Sequence, residues 1–252
     1  MTEVIITMAG FGRRFLDAGY TVPKYRIMAH GRSLFAWSML SLQSFTQAGA
    51  RFTFVVRGAD HSADFIREEA AALGIAHVSI VELDAPTDGQ ATTAMLARDA
   101  LADRDAEMLI YNIDTFVHPD ALPVSAVRGD GWIPCFDAPG DAWSFAAADA
   151  TGRISEVREK KRISPHATVG LYWFSSFNRF SDAYTEHYSD PGNLEKGERY
   201  VAPIYNTLIA QGSAVFVHEV PASAVIALGT PADVEAFLHS LPPPLTRNKY
   251  VS

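Results

Sequence analysis

Two glycines, two cations and one carboxylate are spaced in this chain so that together they could handle a polyphosphate. Residues 8–15 read Met-Ala-Gly-Phe-Gly-Arg-Arg-Phe, and Pro23-Lys24 follows Gly19. Gly10 and Gly12 let the backbone from Ala9 onward approach a ligand and turn its N–H groups inward. Arg14 offers a planar fork to charged oxygens, and Lys24 offers a compact point charge. A tight turn explains Gly-x-Gly, but it does not need two flanking cations. A third glycine at position 15 would make a dinucleotide fingerprint, and that position is Phe15. The Gly-Lys-Ser/Thr of a Walker loop is absent as well. A glycine loop of this kind at the carboxyl end of a strand suits a triphosphate. Phe15 and the Lys24 spacing also disfavour a hydride-transferring oxidoreductase.

Asp114 is the next candidate. The apolar run 108–111 reads as a buried strand and continues into Asn112-Ile113-Asp114. A carboxylate just past such a strand stands where an open α/β sheet presents its ligands. It could hold Mg²⁺, which in turn bridges phosphate oxygens. The plainer reading is an Asp turn. Gly89-Gln90 could be only a cap and turn. Residues 156–161, Glu-Val-Arg-Glu-Lys-Lys, read alone as a solvated edge strand.

Taken in order, Gly10-x-Gly12-x-Arg14-Phe15 with Pro23-Lys24 resembles the signature of the sugar-phosphate nucleotidyltransferases, the sugar-1-phosphate pyrophosphorylase-like family. The resemblance spans residues 3–239. It implies that Ala9, Gly10 and Gly12 wrap the triphosphate while Arg14 and Lys24 neutralise it. It implies that Gly89 and Gln90 hold the base and that Asp114 binds Mg²⁺ as a catalytic ligand. It gives Glu159 the acceptor's hydroxyls and Lys160 its phosphate, with Gly170 in the strand that follows. Residues 227–233, Ala-Leu-Gly-Thr-Pro-Ala-Asp, match the family's late Gly-Thr-Pro-x-Asp segment. The family's Asp two residues before that glycine is Ala227 here, so one expected metal ligand is missing. Asn206 and Glu219 are candidates to replace it. Trp143-Ser144-Phe145 either lines the acceptor pocket or packs in the core. The stretch from Tyr200 to Asn206 reads as helix packing, with closure of the acceptor site as the alternative.

The implied reaction joins an NTP to a phosphorylated metabolite, a sugar 1-phosphate above others, and releases pyrophosphate. The alternatives are transfer to a non-sugar phosphate such as phosphocholine, and a nucleotide-binding regulatory protein without turnover. The latter is favoured by Ala227 and opposed by Arg14, Lys24 and Asp114.

These residues need elements to position them. Strand and helix patterns alternate along the chain, which predicts an α/β three-layer sandwich with a mostly parallel mixed sheet and a Rossmann-like nucleotide-binding half. Helices are expected over 34–45, 60–73, 91–102, 177–188, 203–211 and 231–239, and one strand over 168–174. A hairpin turn is expected at Asp149-Ala150-Thr151-Gly152. A single domain is expected over 1–240, its nucleotide half about 1–130 and its acceptor half about 131–240. Residues 241–252, with three consecutive prolines, read as a tail.

The 252 residues are 48% hydrophobic, enough for a sizeable core. A net charge of −8 argues against a nucleic-acid surface but not against a local cation cluster. Cys135 is the only cysteine, so an intrachain disulfide and a cysteine-based zinc site are excluded. The N-terminal segment lacks a signal-peptide pattern and no apolar run is long enough to span a membrane. A cytoplasmic protein with small-molecule partners is expected, with a homo-oligomer left open.

Overall fold

The computed structural model describes residues 1–245. Its first half alternates strand and helix. It contains β1 (Glu3–Thr7), α1 (Arg13–Asp17), the short pair β2 (Met28–Ala29) and β3 (Arg32–Ser33), α2 (Leu34–Leu40), and α3 (Gln43–Gln47). Then come β4 (Arg51–Arg57), α4 (Ala63–Ala72), β5 (His77–Leu83), α5 (Gln90–Met95), β6 (Met108–Asn112) and β7 (Thr115–Val117). The second half is richer in strands: β8 (Gly131–Asp137), β9 (Ser144–Ala148), β10 (Ile154–Glu159), β11 (His166–Thr168) and β12 (Leu171–Phe174). It closes with α6 (Phe177–His187), α7 (Tyr205–Ala210), β13 (Val215–Glu219), β14 (Val225–Ala227) and α8 (Pro231–His239).

One ten-stranded sheet runs through both halves in the order β10-β9-β11-β8-β12-β6-β1-β4-β5, with β13 beside β8. The strands β6, β1, β4 and β5 pair in parallel. From β12 outward the pairing is antiparallel, except that β13 runs parallel to β8. The fold is thus the expected α/β sandwich, a mixed sheet that is parallel at its core.

The period-two alternation of each strand divides the core into two faces. Val4, Ile6, Phe52, Phe54, Leu109 and Tyr111 pack on one side with Phe35, Phe45 and Trp132. Ile5, Val55, Met108, Ile110 and Ile133 pack on the other with Phe177, Phe180 and Leu208. Each such side chain contributes about 1.5–3 kcal/mol by leaving water. A third cluster joins Phe15, Trp37, Phe116, Val234 and Phe237, so α1, α2 and α8 share one small core beside the glycine loop.

Three sequence expectations are modified. The helix expected over 34–45 is two helices parted at Ser41–Leu42, where the Ser41 hydroxyl accepts from the Val117 amide at 2.9 Å. The helix over 91–102 is α5 followed by a 3-10 turn at Arg98–Ala100. The strand over 168–174 is broken into β11 and β12 at Gly170, whose φ of +81° no extended strand accommodates. The hairpin turn at Asp149–Gly152 forms; the Asp149 carboxylate accepts from the Thr151 and Arg153 amides. The expected tail reaches residues 246–252, which lie outside the described residues. No helix among the described residues is long and apolar enough to cross a membrane.

Candidate active site

The glycine loop leaves β1 at the carboxyl end of the parallel strands. Gly12 caps α1 in the left-handed region at φ +60°, a conformation costly for any residue with a Cβ. Side-chain carbons built on Gly10 and Gly12 meet nothing within 4 Å, so this face of the loop is open. Ala9 beneath it is buried. Phe15 plugs the third core and packs edge-on against Tyr20, which fixes the first turn of α1. Arg14 on that turn is exposed and makes no ion pair with any described residue.

Lys24 follows Pro23 into a single 3-10 turn, Lys24–Arg26. The next residue anchors it. Tyr25 is 2% exposed, and its hydroxyl donates to Ser62 at 2.8 Å and Asp60 at 3.2 Å. Burial pushes the Tyr25 phenol up to about 12, so it stays a neutral donor. The Lys24 ammonium forms an ion pair with the Asp114 carboxylate, 90 residues away in sequence. Both candidates thus meet at one place.

Asp114 is held from both sides. It follows β6, and its carbonyl accepts from the Leu228 amide at 2.6 Å. A carbon built on Gly229 would stand 3.6 Å from the Asp114 Cβ, 3.8 Å from its Oδ2 and 3.9 Å from the Asp233 Oδ2. The absent side chain at Gly229 thus leaves the space beside the Asp114 carboxylate free. Asn206 is not available as the replacement ligand. Its amide accepts from Val157 N at 2.8 Å and donates to Val157 O at 2.9 Å, fastening the edge strand β10. Glu219 faces His166 at 3.6 Å, at the end of β13. Among the described residues no group of three His, Cys, Asp or Glu is placed to hold a metal.

Gln90 opens α5, and its Nε2 donates to Thr7 Oγ1 at 3.2 Å, at the end of β1. Gly89 has a structural reason of its own. Its φ is +143°, and an added Cβ would lie 2.3 Å from the Arg199 carbonyl oxygen. Arg199 donates its amide to Asp88 O at 2.8 Å and accepts from the Ala91 amide at 3.0 Å. The Gly89–Gln90 turn is therefore clamped to a segment of the second half.

The acceptor candidates lie on and after β10. Glu159 has a side chain only 7% exposed and accepts from the Ser144 hydroxyl. Burial pushes its carboxyl above the usual range, opposed by Ser144 and by the neighbouring Lys160. Lys160 sits at φ +49°, with its amide bonded to Trp143 O at 3.0 Å. Its ammonium is 3.6 Å from Glu159 and donates to the Tyr200 hydroxyl at 2.6 Å. Trp143 packs edge-on against Phe136 with ring centroids 5.0 Å apart.

The two groups converge through Gly170. Thr7 and Asn112 are register partners across β1 and β6. The Asn112 amide donates to Gly170 O at 3.2 Å, and a Cβ on Gly170 would strike the Asn112 side chain at 2.2 Å. Two residues on, the Tyr172 hydroxyl sits 3.5 Å from Ser144 Oγ and 3.0 Å from Thr168 Oγ1. The path Gln90, Thr7, Asn112, Gly170, Tyr172, Ser144, Glu159 joins the two halves across the sheet, from β1 through β6 and β12 to β9 and β10. Sequence reasoning missed Thr7, Tyr172 and Arg199. Only the glycines opposite Asn112 and Arg199 hinted at close approaches there.

No protein-family model matches the chain, and no curated protein matches it. Solved structures match over nearly its whole length. The chain is similar to the nucleoside-diphosphate-sugar pyrophosphorylase from Vibrio cholerae RC9, with 36% identity over 94% of this chain and 100% of that one, at a TM-score of 0.87. The inositol-1-phosphate CTP transferase from T. maritima shares the fold at 17% identity, over 96% of this chain and 98% of that one, with a TM-score of 0.73. A UDP-glucose pyrophosphorylase complexed with UDP-glucose does so at 15% identity, over 94% and 97%, with a TM-score of 0.75. With 36% identity sustained over the full length of the Vibrio protein, the chain belongs to the sugar-phosphate nucleotidyltransferase family.

Proposed function

We propose that the protein transfers a nucleotidyl group from an NTP to a sugar 1-phosphate, giving an NDP-sugar and pyrophosphate. One observation carries the acceptor class: the buried Glu159 carboxylate beside the Lys160 ammonium, a pair suited to a molecule with both hydroxyls and a phosphate. The sugar nucleotides named for the Vibrio and UDP-glucose proteins support the same class.

An acceptor phosphate oxygen attacks the α-phosphorus in line. The new P–O bond forms as the bond from that phosphorus to the bridging oxygen breaks, and pyrophosphate leaves with the electron pair. A phosphate dianion is already a nucleophile, so no general base is required. The protein holds two anions together and neutralises growing charge. Arg14 and Lys24 do this on the triphosphate side, with the backbone of Ala9, Gly10 and Gly12 around it. Gly89 and Gln90 hold the base, Glu159 and Lys160 hold the acceptor, and Gly170 shapes the floor between them.

Mg²⁺ fits this arrangement. Asp114 Oδ1 pairs with Lys24, its Oδ2 borders the space beside Gly229, and Mg²⁺ bound to a triphosphate needs only one or two protein carboxylates. When bound at Asp114 it would add positive charge to the phosphate oxygens.

Pyrophosphate release from the common ribonucleoside triphosphates and dTTP, against a panel of phosphorylated sugars and alcohols, tests the reading. Turnover with a sugar 1-phosphate is expected. Turnover with phosphorylated alcohols alone would replace the acceptor, and none with any NTP would reject transfer.

A further inference from the structure

The ammonium of Lys160 has two oxygen partners on different elements. Glu159 Oε1 is 3.6 Å away, and Tyr200 Oη accepts from it at 2.6 Å. The shorter contact goes to the neutral phenol, although the carboxylate would attract the cation more strongly in a partly buried site. The ring of Tyr200 also lies under the ammonium, 4.5 Å from centroid to nitrogen. At 3.6 Å the Glu159–Lys160 ion pair is looser than a direct hydrogen bond; without a second partner for the ammonium the two side chains would close into hydrogen-bond contact, and neither would be free for a substrate.

Tyr200 is itself fixed. Its carbonyl accepts from the Tyr188 hydroxyl at 2.6 Å. The preceding Arg199 is bonded by its backbone to Asp88 and Ala91, and its guanidinium reaches Asp88 at 3.0 Å and Tyr184 Oη at 3.1 Å. The phenol therefore stands on the same clamp that holds the Gly89–Gln90 turn.

We propose that Tyr200 is a positioning residue of the acceptor site: its hydroxyl holds the Lys160 ammonium off the Glu159 carboxylate, keeping the two apart for an acceptor that carries a phosphate and hydroxyls. This rests on the assignment of Glu159 and Lys160 to the acceptor. Tyr200 acts through Lys160, so it controls acceptor affinity and leaves the triphosphate side alone. The charged and titratable groups facing the cluster are Lys160, Glu195, Tyr172, Tyr188 and Tyr200 around Glu159, with Glu198 beside Tyr200. Burial holds the Tyr200 phenol well above its ordinary value, so it is the neutral form that accepts from Lys160.

The test is Tyr200→Phe in the full chain, assayed with whichever phosphorylated acceptor the panel selects and, for binding without turnover, with inorganic phosphate. The acceptor KM is expected to rise about tenfold, the weight of one charge-assisted hydrogen bond, with the triphosphate KM within about twofold. Phosphate binding should weaken alongside it. The acid limb of kcat/KM for the acceptor should move to lower pH, because the released ammonium closes on Glu159 and stabilises its charge. A general loosening of the fold would not produce that displacement. If Lys160→Ala raises the acceptor KM while Tyr200→Phe changes neither KM nor the acid limb, the positioning role is overturned and the acceptor assignment stands. If Lys160→Ala leaves the acceptor KM unchanged, the assignment itself fails and the positioning role with it.

Discussion

Around the glycine loop Arg14 is exposed and pairs with no described residue, whereas on β10 Glu159 has a side chain 7% exposed and engaged by both Ser144 and Lys160. The first region offers charge into open space; the second has its charges already arranged. A triphosphate is large and highly charged, so long-range attraction and backbone N–H groups suffice to seat it. An acceptor is told from its relatives by hydroxyl positions. Discrimination of that kind needs buried polar groups that are left unpaired by the wrong molecule. Lys24 is the exception on the open side, since it already pairs with Asp114.

The largest effects are expected where charge meets the reacting phosphorus. Arg14→Ala and Lys24→Ala should each lower turnover by two or more orders of magnitude, about 3 kcal/mol per lost contact. Circular dichroism should be unchanged, because neither side chain belongs to the core. Near-normal rates in both variants would erase the proposed difference between the two regions.

The Lys24–Asp114 pair yields the next expectation. Because an ammonium already occupies that carboxylate, Mg²⁺ should bind the free protein weakly and bind tightly once a non-hydrolysable NTP draws Lys24 away. Calorimetric titrations with and without the analogue measure this, and Asp114→Asn should abolish the gain. Tight binding to the free protein, indifferent to Asp114→Asn, would remove the metal from this site.

On the acceptor side, Lys160→Ala should raise the acceptor KM by about tenfold or more while the triphosphate KM stays near its original value. The opposite pattern would assign Lys160 to the triphosphate.

The pH response separates the regions more finely. Burial raises the Glu159 carboxyl and the Ser144 hydroxyl opposes that rise. Ser144→Ala should therefore raise it further, and the acid limb of acceptor kcat/KM should move to higher pH. The linked stability has a definite sign. A carboxyl raised in the folded state binds its proton more tightly there than in the unfolded chain. Its contribution to stability is full below the ordinary carboxylate range and declines as pH rises through the raised value. Urea unfolding across that range should show the decline, smaller in Glu159→Gln.

The smallest effect belongs to the scaffold beneath both regions. Thr230 caps α8 by accepting from the Asp233 amide at 3.1 Å. Thr230→Ala should lower stability by about 1 kcal/mol in thermal or urea unfolding and leave both KM values in place. A changed triphosphate KM would show that α8 takes part in binding.

The loop proposed to hold the triphosphate was legible in the sequence as a local feature. Val4 to Thr7, Gly10, Gly12 and Arg14 lie within a dozen residues, and a buried strand followed by an open turn dictates where such a loop stands. The alternation of strand and helix likewise determined the fold class, since period-two and helical spacing are properties of short windows. What the chain alone could not settle depends on distant segments meeting. Lys24 finds Asp114 across 90 residues, Tyr200 finds Lys160 across 40, and Asn206 turns from a candidate ligand into a fastener for β10. Gly89 and Gly170 are visible as glycines in any reading, yet the reasons for them are the Arg199 backbone and the Asn112 side chain lying where a Cβ would go. Local propensity encodes the elements, but long-range pairing is selected by the burial of the whole sheet, and only the folded chain shows which side chains that burial brings together.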